Sequence, residues 1–582
     1  MTRPFLSKYL RTSKAKDWAA SNPYAAILVG MTAVFCLIGC GWGLPATESW
    51  SADSISPRSV GLLAVALPFQ PGRFHTYPPL HMLLLTLLSL PVILFTLARA
   101  GTAPAKFIPA MIAPLPMTII ESTARLVAAF MAVGIVLNIY RIFARSIGKR
   151  GGGLAALFVA INACIIYYAH TGNVDIPYLF WASLALVELD ATLGGEDRLT
   201  RASAFFTLAI LTKDQAAGIA ILPAICALIF VLRSPVTNRV KARQIAAASL
   251  TPLALYAVVS GAITNPSGFR ARLSFLFGPA SQEWEQFPRT REGTKALLGA
   301  LWSSITEMSG RLPAVLAALG VVIVLAGIAR TTVPKGQLRL LMPFAAAVGF
   351  TLLFNLGARR SEVRFLLPQA MLFLPYAGLA VEQALRRAAG ARGGVILVGT
   401  VAALAIGEGV FELARMEGTL LVDARYAATD FLRALPANTL VEIHGGAHFF
   451  PLLPAHLRYR RRGVDALTAR APMAVTDVVD AQLGPPADDV DVVLLSAEIS
   501  FDRTGPDQPD PSTGRIAPFT EFASRRFYRR LQDGEFPFAR SLRSVCRLPF
   551  GIRCHKVHGS TGEEVWIYSR KHPATPGLRT DE

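Results

Sequence analysis

Apolar stretches of about twenty residues recur along this chain from Pro23 to Leu413, and each is long enough to cross the hydrocarbon core of a bilayer as a helix. A helix satisfies its own backbone hydrogen bonds where no water is present, so such a chain folds as a helical membrane protein. Composition agrees: 52% of the residues are hydrophobic and 17% charged, too apolar for an ordinary water-soluble protein. The formal charge of +19 invites a nucleic-acid reading. However, the basic residues sit in short clusters between apolar runs, such as Arg141/Arg145/Lys149/Arg150 and Arg386/Arg387/Arg392. That is the positive-inside pattern of a polytopic protein, and it calls for no nucleic acid.

Charge also sets the expected topology. The segment 1–23 carries Arg3, Lys8, Arg11, Lys14 and Lys16 ahead of the apolar stretch Tyr24–Leu44, with no small-residue cleavage site soon after it. It reads as a retained first span with a cytoplasmic N-terminus. Further apolar runs lie near 123–143, 153–170, 176–193, 202–213, 216–232, 244–263, 312–329, 338–356, 365–384 and 394–413. Basic clusters at 3–16, 141–150, 198–201, 233–243, 330–339 and 386–392 belong on the cytoplasmic side, so an even number of crossings separates the first two. The run Leu80–Ala98 breaks that count if it crosses alone. Because it follows Tyr77-Pro78-Pro79, it reads as a helix at the outer face or as half of a hairpin completed by 107–120. About eleven spans then remain, and the C-terminus lies outside.

The transmembrane part thus covers 24–415, with outer loops at 45–122 and 264–311, and the remainder, 416–582, changes character. Strand-like runs (Thr439–Ile443, Asp491–Leu495, Val565–Tyr568) and a helix over 425–435 predict a small extracytoplasmic α/β domain. Its Cys546 and Cys554 would face an oxidising compartment; a disulfide and two unpaired thiols both fit the sequence.

Polar residues gather on the outer side in three places. The first outer loop holds Glu48 and Asp53 and continues to Tyr77-Pro78-Pro79-Leu80-His81; the end of a span gives Tyr168 to Asp175; and Lys213-Asp214 and Arg359–Arg364 supply cations. Transfer of a group from a lipid phosphate needs a carboxylate to take the acceptor's proton and cations to hold the leaving phosphate. Asp53 is the candidate base, with Glu48 in the same loop. Lys213 and Arg364 are the candidate phosphate clamp, and Arg125, Asp175, Tyr77 and His81 are further substrate-binding candidates. Asp175 could instead cap the next helix, Arg125 could pair locally with Glu121, and Asp214 could only neutralise Lys213. None of these residues is assigned to a metal; a divalent ion is compatible with the sequence and not required by it. His444-Gly445-Gly446-Ala447-His448 reads as a strand end with a glycine turn.

In order, these features resemble the GT-C superfamily, the branch holding protein O-mannosyltransferases and the lipid A aminoarabinose transferase. The matching pieces are the acidic first loop, Tyr77-Pro78-Pro79-Leu80, Ala124-Arg125-Leu126, Tyr168/Asp175, Leu211-Thr212-Lys213 and Val363-Arg364-Phe365-Leu366-Leu367-Pro368. The resemblance covers roughly residues 20–415. It implies a polyprenyl-phosphate-linked sugar donor, an extracytoplasmic acceptor, an outward-facing site in a plasma membrane of bacterial type, and a catalytic carboxylate in the first loop. Where related enzymes often carry Asp-Glu, this chain has Asp53-Ser54, which puts a metal held by paired carboxylates in doubt. Two rival readings are a transporter or lipid flippase, against which stands the lack of an internal repeat, and a non-catalytic membrane scaffold with an outer binding domain. The loop 264–311, with Arg270, Arg272, Trp284, Glu285, Arg289 and Arg291, is expected to cover the site or to rest at the interface.

Overall fold

The computed structural model describes residues 19–45, 50–51, 54, 77–111, 113–277, 285–330, 335–444, 450–462, 478–480, 486–496, 530–531, 533–552, 554 and 564–570. Each apolar run named above lies on a helix. In chain order these are α1 (Pro23–Leu37), α2 (Leu80–Ala100), α3 (Pro104–Met111), α4 (Pro114–Ala160), α5 (Ala163–Ala169), α6 (Asp175–Leu193), α7 (Leu199–Thr212), α8 (Ala216–Arg233) and α9 (Asn238–Val259). There follow α10 (Pro266–Phe277), α11 (Arg291–Ser309), α12 (Arg311–Arg330), α13 (Lys335–Phe350), α14 (Leu367–Leu372), α15 (Pro375–Ala388), α16 (Arg392–Leu421) and α17 (Ala424–Arg433). Among the described residues, nine helices are long and apolar enough to cross a membrane by length and composition.

Several boundaries differ from the apolar runs for identifiable reasons. The first helix stops at Leu37, not Leu44, because Gly39 and Gly43 take positive φ and turn the chain back. α4 is not straight but bends at Gly148, whose φ of 87° no helix accepts. The last of the long apolar helices runs on to Leu421, past its apolar run, and α17 follows from Ala424 with Asp423 as its N-cap. The outer stretch 264–311 is not a plain connection, since it folds into α10 and α11.

Three of the basic clusters expected on one side, 141–150, 330–339 and 386–392, meet at one end of the bundle. Asp190 joins Arg145 (2.8 Å) to Arg339 (3.7 Å), Glu382 joins Arg150 (2.8 Å) to Arg386 (2.7 Å), and Lys149 donates to the Ser21 carbonyl (2.7 Å). The opposite end carries the sheet domain. There α2 and α3 form a hairpin whose Met82, Leu85 and Met111 pack with Ile120, Ala124 and Val174. Although α2 alone is long enough to cross, α3 at about 12 Å is too short to recross a core of about 30 Å. Met82 and Leu85 at the start of α2 share one cluster with Met111 at the end of α3, so the hairpin opens and closes at the same end.

The C-terminal domain is a six-stranded sheet in the order β3-β2-β1-β4-β6-β5, built from Leu440–His444 (β1), Arg458–Arg462 (β2), Val478–Asp480 (β3), Val492–Ser496 (β4), Phe538–Val545 (β5) and Glu564–Arg570 (β6). β3, β2, β1 and β4 run parallel, and β6 and β5 complete the sheet antiparallel. Alternation divides the strands cleanly: Val441, Ile443, Val492 and Leu494 pack on Ala428 and Leu432 of α17, whereas Leu440, Val493 and Leu495 face Leu531 and Phe538. Cys546 and Cys554 are bridged, with their Cα atoms 6.2 Å apart.

Candidate active site

Two short turns between helices bring a carboxylate and a cation together inside the apolar bundle. Before α6, the Asn173 side chain accepts from the Asp175 backbone N–H (3.0 Å) and donates to Asp175 Oδ2 (3.1 Å), which fixes the carboxylate. At the end of α7, Lys213 turns extended (φ −153°, ψ 122°) and its ammonium reaches Asp175 Oδ1 at 2.5 Å. Both side chains are buried, so each depends on the other for its charge. Asp175 therefore pairs across the bundle, and the carboxylate in direct contact with Lys213 is Asp175 and not its neighbour Asp214. Asp214 pairs with the buried Arg272 of α10; burial raises its carboxyl above the usual range, and Arg272 pulls the other way.

A second group comes from the turn 359–366. α13 continues through a wide turn over Thr351–Asn355, and Asn355 then holds the next segment by donating to the carbonyls of Arg360 (3.2 Å) and Phe365 (3.3 Å). Arg359, in the left-handed region at φ 56°, donates to the carbonyls of Phe287 and Pro288 and to Thr294 Oγ1. Beyond it Glu362 takes Arg360 (2.5 Å) and Arg364 (3.2 Å), and it accepts from Gln286 Nε2 (2.9 Å). The stretch 285–311 is thereby laced to this turn, with Ser304 donating to the Ser361 carbonyl as well.

The two groups converge on one ring. Arg360 and Arg364 lie 4.4 and 4.6 Å from the Phe365 centroid, and Lys213 lies 5.4 Å from it and 5.5 Å from the Tyr178 ring. Among the described residues, three cations thus meet two carboxylates, Asp175 and Glu362, at the bundle end that carries the sheet domain. Such a gathering of cations, partly shielded from water, suits an anion with several oxygens.

Arg125 has a different setting. Its Nε meets Glu121 at 3.0 Å, as the i,i+4 spacing suggests, while Nη1 donates to the carbonyls of Cys40 (2.7 Å) and Trp42 (2.6 Å). The guanidinium thus holds the turn after α1. Tyr77 packs half-buried on the α2–α3 cluster, and His81 beside it is 1% exposed with both ring nitrogens unpartnered among the described residues. Asp53, Glu48 and Trp284 lie outside the described residues. Glu362, Phe365 and Asn173 lay in stretches that the sequence had already marked, without a role of their own, and Asn355 lay in none of them. Among the described residues no group of three or more His, Cys, Asp or Glu side chains could hold a metal.

Residues 105–263, which include Arg125, Asp175 and Lys213, match the family model described as dolichyl-phosphate-mannose-protein mannosyltransferase. No curated protein matches the sequence. Among solved structures, ArnT from Cupriavidus metallidurans bound to undecaprenyl phosphate is similar at 12% identity and a TM-score of 0.46, over 96% of this chain and 100% of that one. Its apo state gives 13% identity and a TM-score of 0.47 over the same shares. The Archaeoglobus fulgidus oligosaccharyltransferase in complex with Zn and sulfate gives 12% identity and a TM-score of 0.45, over 93% of this chain and 88% of that one.

Proposed function

We propose that this chain is a membrane glycosyltransferase of the GT-C superfamily that transfers a sugar from a polyprenyl-phosphate-linked donor to an extracytoplasmic acceptor, with Asp53 as general base. The observation that carries the reading is the set of three cations around Phe365, built from residues of two separate segments. The family description names a lipid-phosphate sugar donor, which is the anion this cluster suits. In this reading the site faces outward, because the basic clusters collect at the other end of the bundle.

The step needs few parts. Asp53 takes the proton of the acceptor hydroxyl, the freed oxygen attacks the anomeric carbon, and the carbon–oxygen bond to phosphate breaks with inversion. The electron pair leaves on the phosphate, where Lys213, Arg360 and Arg364 stabilise the growing charge. The incoming phosphate competes with Asp175 and Glu362 for those cations, so the carboxylates keep the clamp ordered before the donor arrives. Arg125 serves by shaping the loop, and Tyr77 and His81 line the approach of the donor chain.

The test is sugar transfer by the purified protein from a polyprenyl-phosphate sugar, with product followed by mass spectrometry. Asp53→Asn is expected to lose about 10²–10⁴-fold in kcat while still binding donor. Retained transfer by that variant would remove Asp53 as the base, and failure of the wild-type chain with every donor would remove the function itself.

A further inference from the structure

The turn that leads to Asp53 is gripped from two sides. After α1 the chain folds back through Gly39 and Gly43, and Trp42 and Trp50 turn inward until each is 1–2% exposed. A Cβ on Gly43 would fall 2.7 Å from the Trp50 ring, so only glycine lets the two stretches close together. From the membrane side, Arg125 holds the carbonyls of Cys40 and Trp42. From the other side comes the first turn of the C-terminal domain. Asp423 accepts from Trp42 Nε1 (3.0 Å) and from Arg425 (2.8 and 2.5 Å). The Arg425 guanidinium, wholly buried, lies 4.2 Å from the Trp50 ring and 5.3 Å from that of Trp42, and donates to the Trp50 carbonyl at 3.3 Å. Finally the Gly43 N–H donates to the Tyr426 hydroxyl at 3.2 Å.

Ser51 and Ser54, on either side of Asp53 in the sequence, are buried, and a Cβ placed on Gly172 would lie 3.2 Å from both Ser54 Oγ and Glu121 Oε2. Gly172 stands three residues before Asp175.

We propose that Asp423, Arg425 and Trp50 are positioning residues, through which the C-terminal domain holds the first outer loop so that its carboxylate meets the donor. This rests on the reading of Asp53 as base. The domain then acts on the reaction through the loop, whatever else it binds. An arginine is needed because only a planar guanidinium can chelate Asp423 and stack on an indole at once. Reactions that depend on a placed base lose about 10²-fold for a shift of about 1 Å, so loosening one end of the loop is expected to show in kcat.

The experiment uses the full chain with Arg425→Lys, Arg425→Ala and Trp50→Ala, beside Asp53→Asn. Two quantities are read: kcat and donor KM for sugar transfer, and the rate of tryptic cleavage after Arg58 relative to cleavage after Arg392. Arg425→Lys keeps the charge opposite Asp423 and guards against simple misfolding. The expected result is a kcat lowered about 10²-fold with donor KM within about twofold, and faster cleavage at Arg58 only. Unchanged cleavage at Arg58 would overturn the clamp, and faster cleavage with wild-type kcat would overturn the positioning role. Transfer retained by Asp53→Asn, or none by the wild type, would count against the proposed function instead; the cleavage rates would still decide the clamp.

Discussion

Lys213 is a buried cation at the end of an apolar helix, where a charge without a partner is expensive. Its position in an apolar stretch marked it in the sequence, but its partner was misplaced by looking next door. Asp214 is adjacent, yet successive residues at a helix end point apart, and the ammonium reaches Asp175 while Asp214 turns to Arg272. Removing Lys213 alone strands a buried carboxylate. Lys213→Met is therefore expected to lower stability by about 3–5 kcal/mol, and adding Asp175→Asn to recover most of it without restoring transfer. Thermal unfolding in detergent and the transfer assay separate the two effects. The Glu121–Arg125 pair was legible from its spacing, whereas the contacts of Arg125 with Cys40 and Trp42 were not. No periodicity reports a backbone carbonyl brought in by a glycine turn.

Among the elements, apolar runs located the helices well and their ends poorly, because ends are decided by backbone conformation and not by polarity. Gly148 bends α4 without leaving its apolar surroundings, and Glu412 and Arg415 (3.2 Å) carry α16 past its apolar run as a local pair. Packing between helices was invisible in the same way. α15 is approached almost to backbone contact on two sides: a Cβ on Gly378 would fall 2.3 Å from Ala155 N, and one on Gly320 would fall 2.0 Å from the Tyr376 carbonyl. Gly378→Ala must therefore push α15 off the second half of α4. The expected cost is about 1–3 kcal/mol, read as a lowered Tm, with Gly399→Ala, whose Cβ meets nothing within 4 Å, as the neutral comparison.

For the molecule as a whole, the alternation of short strands and the composition shift after Leu413 announced a second domain, but strand order did not follow from them. β1 lies inside the sheet with Val441 and Ile443 turned to α17, while its other face pairs Leu440 with a buried polar group in which Glu442 meets His444 (2.9 Å) and Arg462 (3.1 Å). Burial pushes the His444 imidazole below its ordinary value of 6.5, and the hydrogen bond to Glu442 opposes that only in part. The unfolded chain then takes up a proton at a higher pH than the folded one. Stability of this domain is complete above pH 6.5 and is lost as pH falls from there to the folded value. Hydrogen exchange on the full chain is expected to show protection of residues 440–444 falling up to about tenfold per pH unit below that point, and His444→Gln to flatten the slope.

The helix that joins the two domains has a length with its own meaning. At 30 residues α16 measures about 45 Å, against about 30 Å of hydrocarbon, and the sheet domain begins within two residues of its end. The helix works as a stilt, keeping the sheet in water while the bundle stays in oil. Under the proposed function, a donor with an isoprenoid tail and an acceptor soluble in water then meet at a seam between two phases. Neither has to give up its own solvent to react.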